Sequence, residues 1–260
     1  MTYARRLQQR IADIGSALCV GIDPRLDRHD SVAALGSFCE RVIGETAGFA
    51  AAFKPNLAYF EALGVPGYQL VEDLIAKMKA TGAPVILDAK RGDIGTTQEH
   101  YAKAYFENWD VDAVTLSPYM GYDSVEPFLQ SPGKGVYLLA VTSNPGAVDL
   151  ELRDLADGRR VFELVGELAA RAAATPAGEG SAGLVLGLTN ASGDILDRLP
   201  DVPLLIPGLG AQGGDLEALR GAKRSAPSVV NVSRGILYAD EHLSFAEKAR
   251  DYAHRIAQVT

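Results

Sequence analysis

Short apolar runs recur along the chain, and a stretch with helical spacing of apolar residues follows each of them. The runs are continuous rather than alternating, which is typical of parallel strands that are covered on both faces. They occupy residues 17–23, 51–56, 84–90, 112–118, 135–142, 182–189, 202–208 and 227–233. The intervening patterns predict helices at residues 2–13, 31–50, 67–80, 95–108, 121–130, 158–174, 191–198, 214–221 and 242–257.

Eight strand–helix units behind an additional N-terminal helix predict an α/β fold, in which residues 1–260 form a single (β/α)8 TIM barrel domain. A doubly wound open sheet is the alternative, because periodicity does not show whether a sheet closes. No linker or low-complexity segment divides the chain. The Gly/Ala-rich stretch at 174–183 is interpreted as a surface loop before a strand.

Composition narrows the class of protein. Hydrophobic residues make up 47% of the chain and charged residues 22%, which is typical of a globular protein with a sizeable core. The formal net charge of -8 argues against nonspecific binding to nucleic acid and against attraction to anionic membranes. The first residues lack the apolar region of a signal peptide, and no stretch reaches membrane-spanning length, so we expect a cytoplasmic protein. Cys19 and Cys39 lack metal-ligand spacing and are expected to be buried or partly buried reduced thiols.

Polar residues collect where the apolar runs stop. In a (β/α)8 barrel the active site lies at the C-terminal ends of the strands, so these residues are the candidates for function. They are Asp23, Lys54, Asp88, Lys90, Asp93, Ser117, Thr142, Ser143, Asn190, Gln212, Asn231 and Arg234.

The densest group of charges follows the third strand, in "LDAKRGD" (87–93). Asp88 and Lys90 are two residues apart on a strand, so both side chains are expected to point into the barrel mouth. Asp93 follows on the loop, and Lys54 ends the preceding strand. Flanking carboxylates favour the ammonium form of a lysine, which suits Lys90 as a proton donor rather than as an amine nucleophile. The alternative is a structural ion-pair network at the top of the barrel.

A phosphate site is expected after the last two strands. "PGLGAQGGD" (207–215) supplies glycines that let the backbone approach a ligand, and "NVSRGI" (231–236) supplies Arg234. The loops after strands seven and eight are the usual phosphate site of such barrels. The alternative is two tight turns and a surface arginine.

Taken together, these motifs resemble the orotidine 5'-phosphate decarboxylase family. "LDAKRGDIGTT" (87–97) is similar to the family's D-x-K-x-x-D signature. "GIDPRL", "FKPNLAYFE", "VTSNPGA", "PGLGAQGGD" and "NVSRGILY" occur in the expected order, and the chain is most similar to the longer bacterial branch. The resemblance implies decarboxylation of orotidine 5'-monophosphate to UMP and CO2, the last step of de novo pyrimidine nucleotide synthesis. It also implies a homodimer of barrels that uses no metal or organic cofactor.

The resemblance also implies a role for individual residues. Lys54, Asp88, Lys90 and Asp93 match the family's charged tetrad, in which Lys90 donates the proton to C6. Asp93, with Thr97 nearby, is expected to belong to the active site of the neighbouring subunit.

Four further residues match substrate contacts. Asp23 matches a carboxylate that binds the ribose hydroxyls, and Ser143 matches the serine that contacts the pyrimidine. Gln212 and Arg234 match the side chains that hold the 5'-phosphate. Thr142 remains the alternative to Ser143, because residues 144–181 form a longer region than in compact family members.

Two other functions share parts of this pattern. A phosphosugar isomerase or aldolase would use the same phosphate site, and an aldolase would form a borohydride-trappable adduct on Lys90 or Lys54. A nonenzymatic sensor of phosphorylated ligands would bind the nucleotide without turning it over.

Overall fold

The strands form one parallel sheet that curls into a nearly closed barrel. The computed structural model describes residues 1–174, 180–190, 193–207, 219 and 224–260. The strands are β1 (Leu18–Ile22), β2 (Ala52–Pro55), β3 (Ile86–Arg91), β4 (Ala113–Leu116), β5 (Gly135–Val141), β6 (Ser181–Leu186), β7 (Leu204–Pro207) and β8 (Ser228–Val232). All eight predicted strands are therefore confirmed, with ends that differ by at most three residues.

The sheet order is β2-β1-β8-β7-β6-β5-β4-β3, with parallel pairing throughout. The two end strands meet through the bridge pairs Phe53–Val85 and Asn56–Asp88. The Phe53 N–H also donates to the Pro84 carbonyl at 2.9 Å. The sheet thus closes on itself, and the open-sheet alternative is wrong.

Helices cover the outer face of the barrel, except for the first, which packs against one end. They are α1 (Tyr3–Ile14), α2 (Val32–Thr46), α3 (Leu57–Glu61), α4 (Val65–Ala80), α5 (Gly95–Lys103), α6 (Glu126–Leu129), α7 (Val161–Ala174), α8 (Gly193–Asp197), α9 (Arg234–Leu237) and α10 (Phe245–Ala257). A π-helical turn at Ala104–Asn108 continues α5. Helices α3 and α9, of five and four residues, are not predicted by the sequence pattern. Apart from Pro207 and Leu219, the loop "PGLGAQGGD" and the predicted helix at 214–221 lie outside the described residues.

The core has two layers. The larger cluster fills the space between the barrel and the helices and includes Leu35, Leu74 and Phe162. A second cluster lies inside the barrel, where Tyr3 and Leu7 of α1 pack among inward-facing strand residues. Helix α1 therefore closes the end of the barrel opposite the C-terminal ends of the strands.

The two cysteines are free and buried, which confirms the expectation of reduced thiols. Burial raises the pKa of both Cys19 and Cys39 to about 12, so neither is a reactive thiolate at neutral pH. No helix within the described ranges is long and apolar enough to cross a membrane.

Candidate active site

The barrel interior changes from apolar to polar along β2, β3, β4 and β8. Cys19, Ala52, Ile86, Ala113 and Val229 belong to the inner apolar cluster. Because strand side chains alternate between faces, residues two positions further along point to the same side. Those positions hold Gly21, Lys54, Asp88, Thr115 and Asn231. The polar site thus rests directly on the apolar floor that α1 closes.

Asp88 lies between two lysines. Its Oδ2 accepts a hydrogen bond from Lys54 Nζ at 2.5 Å, and its Oδ1 accepts one from Lys90 Nζ at 2.5 Å. Lys54 is 4% exposed and Asp88 is 8% exposed, whereas the Lys90 side chain is 47% exposed. The buried pair therefore holds a third charged group, Lys90, at the open end of the barrel.

Charge pairing outweighs burial in this cluster. Burial by itself would lower the pKa of Lys54, but the neighbouring charges of Asp88 and Asp23 raise it above its ordinary value. Burial would raise the pKa of Asp88, but Lys54 and Lys90 hold it well below its usual range. Lys54 is therefore an ammonium ion and Asp88 a carboxylate at neutral pH, so Lys54 is not an amine nucleophile.

The backbone of β3 is irregular where the two charged residues lie. Leu87 pairs with Val114 and Arg91 pairs with Leu116, so three residues of β3 stand opposite the single residue Thr115. Lys90 has a φ of 47°, a left-handed conformation that costs a side-chain-bearing residue roughly 1–3 kcal/mol. The Lys90 and Asp88 side chains meet as expected, but regular strand alternation is not the reason.

Asp93 and Thr97 lie apart from the lysines. In the described chain, the Asp93 carboxylate accepts the Ile94 N–H at 2.8 Å and forms no ion pair with Lys54 or Lys90. Thr97 is exposed in the first turn of α5. The structure thus brings together three members of the expected tetrad and leaves Asp93 outside the group.

Several buried polar atoms at the mouth have no hydrogen-bond partner. Described residues include seven such side-chain atoms, and four of them follow the C-terminal ends of β1, β5 and β8 or lie on β8 itself. These four are Asp23 Oδ1, Ser143 Oγ, Asn231 Oδ1 and Ser233 Oγ. Buried polar groups are normally hydrogen-bonded, so this concentration indicates a binding site for a ligand with several polar groups.

The loop after β5 distinguishes Ser143 from Thr142. The carboxylate of Glu151 accepts the Thr142 N–H at 2.7 Å and the Thr142 hydroxyl at 2.8 Å. Asn190 Nδ2 donates to the carbonyls of Thr142 and Asn144 at 2.7 and 2.9 Å. Ser143 Oγ remains available, whereas the Thr142 side chain is occupied by Glu151.

Of the two residues expected to bind the phosphate, the structure describes only Arg234. Arg234 is the first residue of α9, directly after β8, and its side chain is exposed with no ion pair to a described residue. Gln212 lies outside the described residues. The structure therefore places Arg234 at the mouth beside Ser233 and does not address Gln212.

Two residues of the site escaped sequence reasoning. Thr115 is buried on β4 and Glu151 lies in the connection between β5 and α7. A polar residue in the middle of the apolar run "DAVTLSP" was a usable signal for Thr115, whereas nothing local distinguishes Glu151 from a surface carboxylate. Among the residues that the structure describes, no three His, Cys, Asp or Glu side chains cluster as metal ligands.

Known proteins are similar to this chain in sequence and in fold. The sequence model of the orotidine 5'-phosphate decarboxylase / HUMPS family matches residues 16–249. An orotidine 5'-phosphate decarboxylase from Ralstonia nicotianae is 45% identical over 265 residues, covering 97% of this chain and 96% of the relative. One from Cupriavidus metallidurans is 43% identical over 269 residues, covering 97% and 95%. The structure of Leishmania donovani OMP decarboxylase matches with a TM-score of 0.86 at 36% identity, covering 100% of this chain and 99% of that one.

Proposed function

The chain belongs to the orotidine 5'-phosphate decarboxylase family and converts orotidine 5'-monophosphate to UMP and CO2, the final step of pyrimidine synthesis; we propose that Lys90 supplies the proton that replaces the carboxylate. The observation that supports this role is the bridging of Lys54 and Lys90 by Asp88. This bridge fixes an ammonium group at the open end of an otherwise buried ion pair.

The reaction requires electrostatic stabilisation. When the C6–carboxylate bond breaks, the electron pair stays on C6 in an orbital orthogonal to the ring π system, so resonance cannot delocalise it. A positive charge held beside C6 before the bond breaks lowers the energy of this carbanion. Lys90 then transfers one N–H proton to C6, becomes a neutral amine and regains a proton from solvent. Asp88 orients Lys90 throughout, since its other oxygen is fixed by buried Lys54.

Substrate contacts follow from the polar atoms at the mouth. We assign the ribose hydroxyls to Asp23 and the pyrimidine to Ser143, both of which carry buried oxygens without partners. Arg234, together with Gln212, is assigned to the 5'-phosphate, because an exposed guanidinium is suited to bidentate phosphate binding. The phosphate lies away from the reacting carbon, so its binding energy serves to orient the substrate for the chemical step.

A shared site between two subunits is the finer part of the proposal. Asp93 has no lysine partner among the described residues. Its neighbour Ile94 is 59% exposed, and Met120, which lies against Gly92, is 42% exposed. Exposed apolar residues of this size are typical of interaction surfaces. We therefore propose a cytoplasmic homodimer of single-domain chains, residues 1–260 each, in which Asp93 and Thr97 complete the partner's site.

Other functions receive less support. An aldolase needs a neutral lysine, but the raised pKa of Lys54 keeps its amine protonated. A nonenzymatic sensor does not require an ammonium ion held by a buried carboxylate. The direct assay is the loss of the 6-carboxylate of orotidine 5'-monophosphate, which changes the ultraviolet absorption of the ring.

Mixed dimers test both the proton donor and the shared site. Lys90→Ala and Asp93→Ala homodimers are each expected to be nearly inactive. After the two variants are mixed, dissociated and reassociated at random, half of the dimers are hybrid and carry one intact site each. Activity is then expected to recover to about a quarter of that of the wild type.

Subunit exchange is verified with differently tagged chains that are purified in sequence. If hybrids form and activity does not return, Asp93 serves its own subunit. If the Lys90→Ala homodimer retains full activity, the proton-donor role is wrong.

A further inference from the structure

Thr115 occupies a special position opposite the irregular part of β3. It is the single β4 residue that faces Asp88, Ala89 and Lys90, because pairing resumes only at Arg91 and Leu116. Its side chain is buried and follows Ala113 on the inward face of the barrel. The side chain of Thr115 therefore replaces the regular strand pairing that this segment lacks.

The Thr115 hydroxyl makes two hydrogen bonds that link the charged residues. It accepts the backbone N–H of Lys90 at 2.9 Å and donates to Asp88 Oδ1 at 3.0 Å. Asp88 Oδ1 is the same oxygen that receives Lys90 Nζ. One hydroxyl thus fixes Lys90 at its backbone directly and at its side chain through Asp88.

The conformation of Lys90 makes this link necessary. A left-handed φ in a residue with a side chain persists only when its surroundings enforce it. An N–H group next to a buried carboxylate also needs an acceptor, since an unpaired amide is costly in a dry site. Thr115 meets both requirements, whereas valine, which has the same shape, meets neither.

We propose that Thr115 is a positioning residue for the decarboxylation: its hydroxyl sets the backbone of Lys90 so that the ammonium group stands at C6. This inference rests on the proposed role of Lys90 as proton donor. Thr115 acts through Lys90 and Asp88, the two residues to which its hydroxyl is hydrogen-bonded.

The test compares Thr115→Val with Thr115→Ser in the decarboxylation assay. Removal of the hydroxyl should lower kcat on the order of 10- to 100-fold, because small displacements of a reacting group have effects of this size. KM should change by less than about threefold, since the residues assigned to ribose, pyrimidine and phosphate are unaffected. Thr115→Ser keeps the hydroxyl and should retain kcat within about threefold of the wild type.

Thr46→Val is the matched control. Thr46 is also buried and its hydroxyl also makes an internal hydrogen bond, to the Val42 carbonyl at 2.8 Å on helix α2. This change also removes a buried, hydrogen-bonded hydroxyl and should leave kcat unchanged. If Thr115→Val does not fold, Thr115→Cys replaces it, because a thiol of similar size is a weak hydrogen-bonding group.

The outcomes separate a positioning role for Thr115 from a purely structural one. Wild-type kcat in folded Thr115→Val, or equal losses in Thr115→Val and Thr115→Ser, would overturn the inference. A rise in KM with unchanged kcat would do the same. Lys90→Ala is measured in parallel: if it stays active, the proton-donor role fails independently of Thr115.

Discussion

Replacing Asp88 by Asn removes the charge that two lysines share while it keeps the size of the side chain. Lys90 can turn its half-exposed side chain toward water, so the cost falls on buried Lys54. Removing one partner of a buried ion pair costs about 3–5 kcal/mol. Asn retains one hydrogen-bond acceptor and Asp23 still stabilises the Lys54 cation, so the free energy of unfolding should fall by roughly 2–4 kcal/mol.

The loss of unfolding free energy in Asp88→Asn should depend on pH. In the wild type, the lowered pKa of Asp88 contributes stability above its unfolded value of about 3.9. The raised pKa of Lys54 contributes stability below its unfolded value of about 10.4, and that contribution disappears only as pH rises beyond it. Between these limits the pair gives a constant contribution.

In Asp88→Asn, the pKa shift of Lys54 changes direction. Burial without the Asp88 charge lowers the pKa of Lys54 below its unfolded value, so the unfolded chain binds more protons. Stability of the variant therefore rises with pH as Lys54 loses its proton. The deficit relative to the wild type should narrow between about pH 7 and pH 10.

Urea unfolding measures both effects, with Trp109, the only tryptophan in the sequence, as the fluorescent reporter. Subunit concentration is held constant, because association adds to apparent stability. Asp110→Asn is the matched control: Asp110 also bridges two lysines, Lys79 and Lys134, but its side chain is 59% exposed. That change should cost no more than about 1 kcal/mol. Equal losses in the two variants, or a deficit for Asp88→Asn that is flat in pH, would refute the argument from burial.

Three further results are expected. Arg234→Ala should reduce transition-state stabilisation by on the order of several kcal/mol, and the loss should appear in both kcat and KM. The same change should matter far less for orotidine, which has no phosphate. An equal effect on both substrates would show that Arg234 does not bind the phosphate. Exhaustive chelation and dialysis should leave activity intact, and a loss that added metal restores would contradict the proposed mechanism. Glu151→Ala should raise KM roughly tenfold by releasing Thr142 beside Ser143; in a Ser143→Ala background the same change should have little effect, and additive losses would show that Glu151 acts elsewhere.

The sequence predicted the barrel because burial on both faces leaves a simple pattern. Each strand lies in a mostly apolar run, and polar residues appear toward its C-terminal end, as with Lys54 in β2. The same logic identified the three charged residues that the structure brings together. The family resemblance, read from motifs that span the chain, is confirmed by the family match and by relatives of about 43% identity.

The remaining features depend on contacts between distant parts of the chain. The left-handed conformation of Lys90 needs the Thr115 hydroxyl from the neighbouring strand, 25 residues away. The choice of Ser143 over Thr142 depends on Glu151 and on Asn190, 48 residues beyond Thr142. Local periodicity carries no information on such pairings, because the same residues on a surface loop without these partners would give the same sequence pattern.

Helix α1 has a consequence for the order of events during synthesis. Tyr3 lies against Tyr137, with their hydroxyls 3.1 Å apart, and shares its cluster with Val229 of the last strand. A ribosome takes on the order of 10–50 s to add the residues between Tyr3 and Val229. During that interval helix α1 has no complete binding place, and its apolar face stays open to solvent or to a chaperone. Helix α1 is thus among the last parts of the barrel to dock, and a nascent chain halted before β8 exposes the surface by which it can be recognised as unfinished.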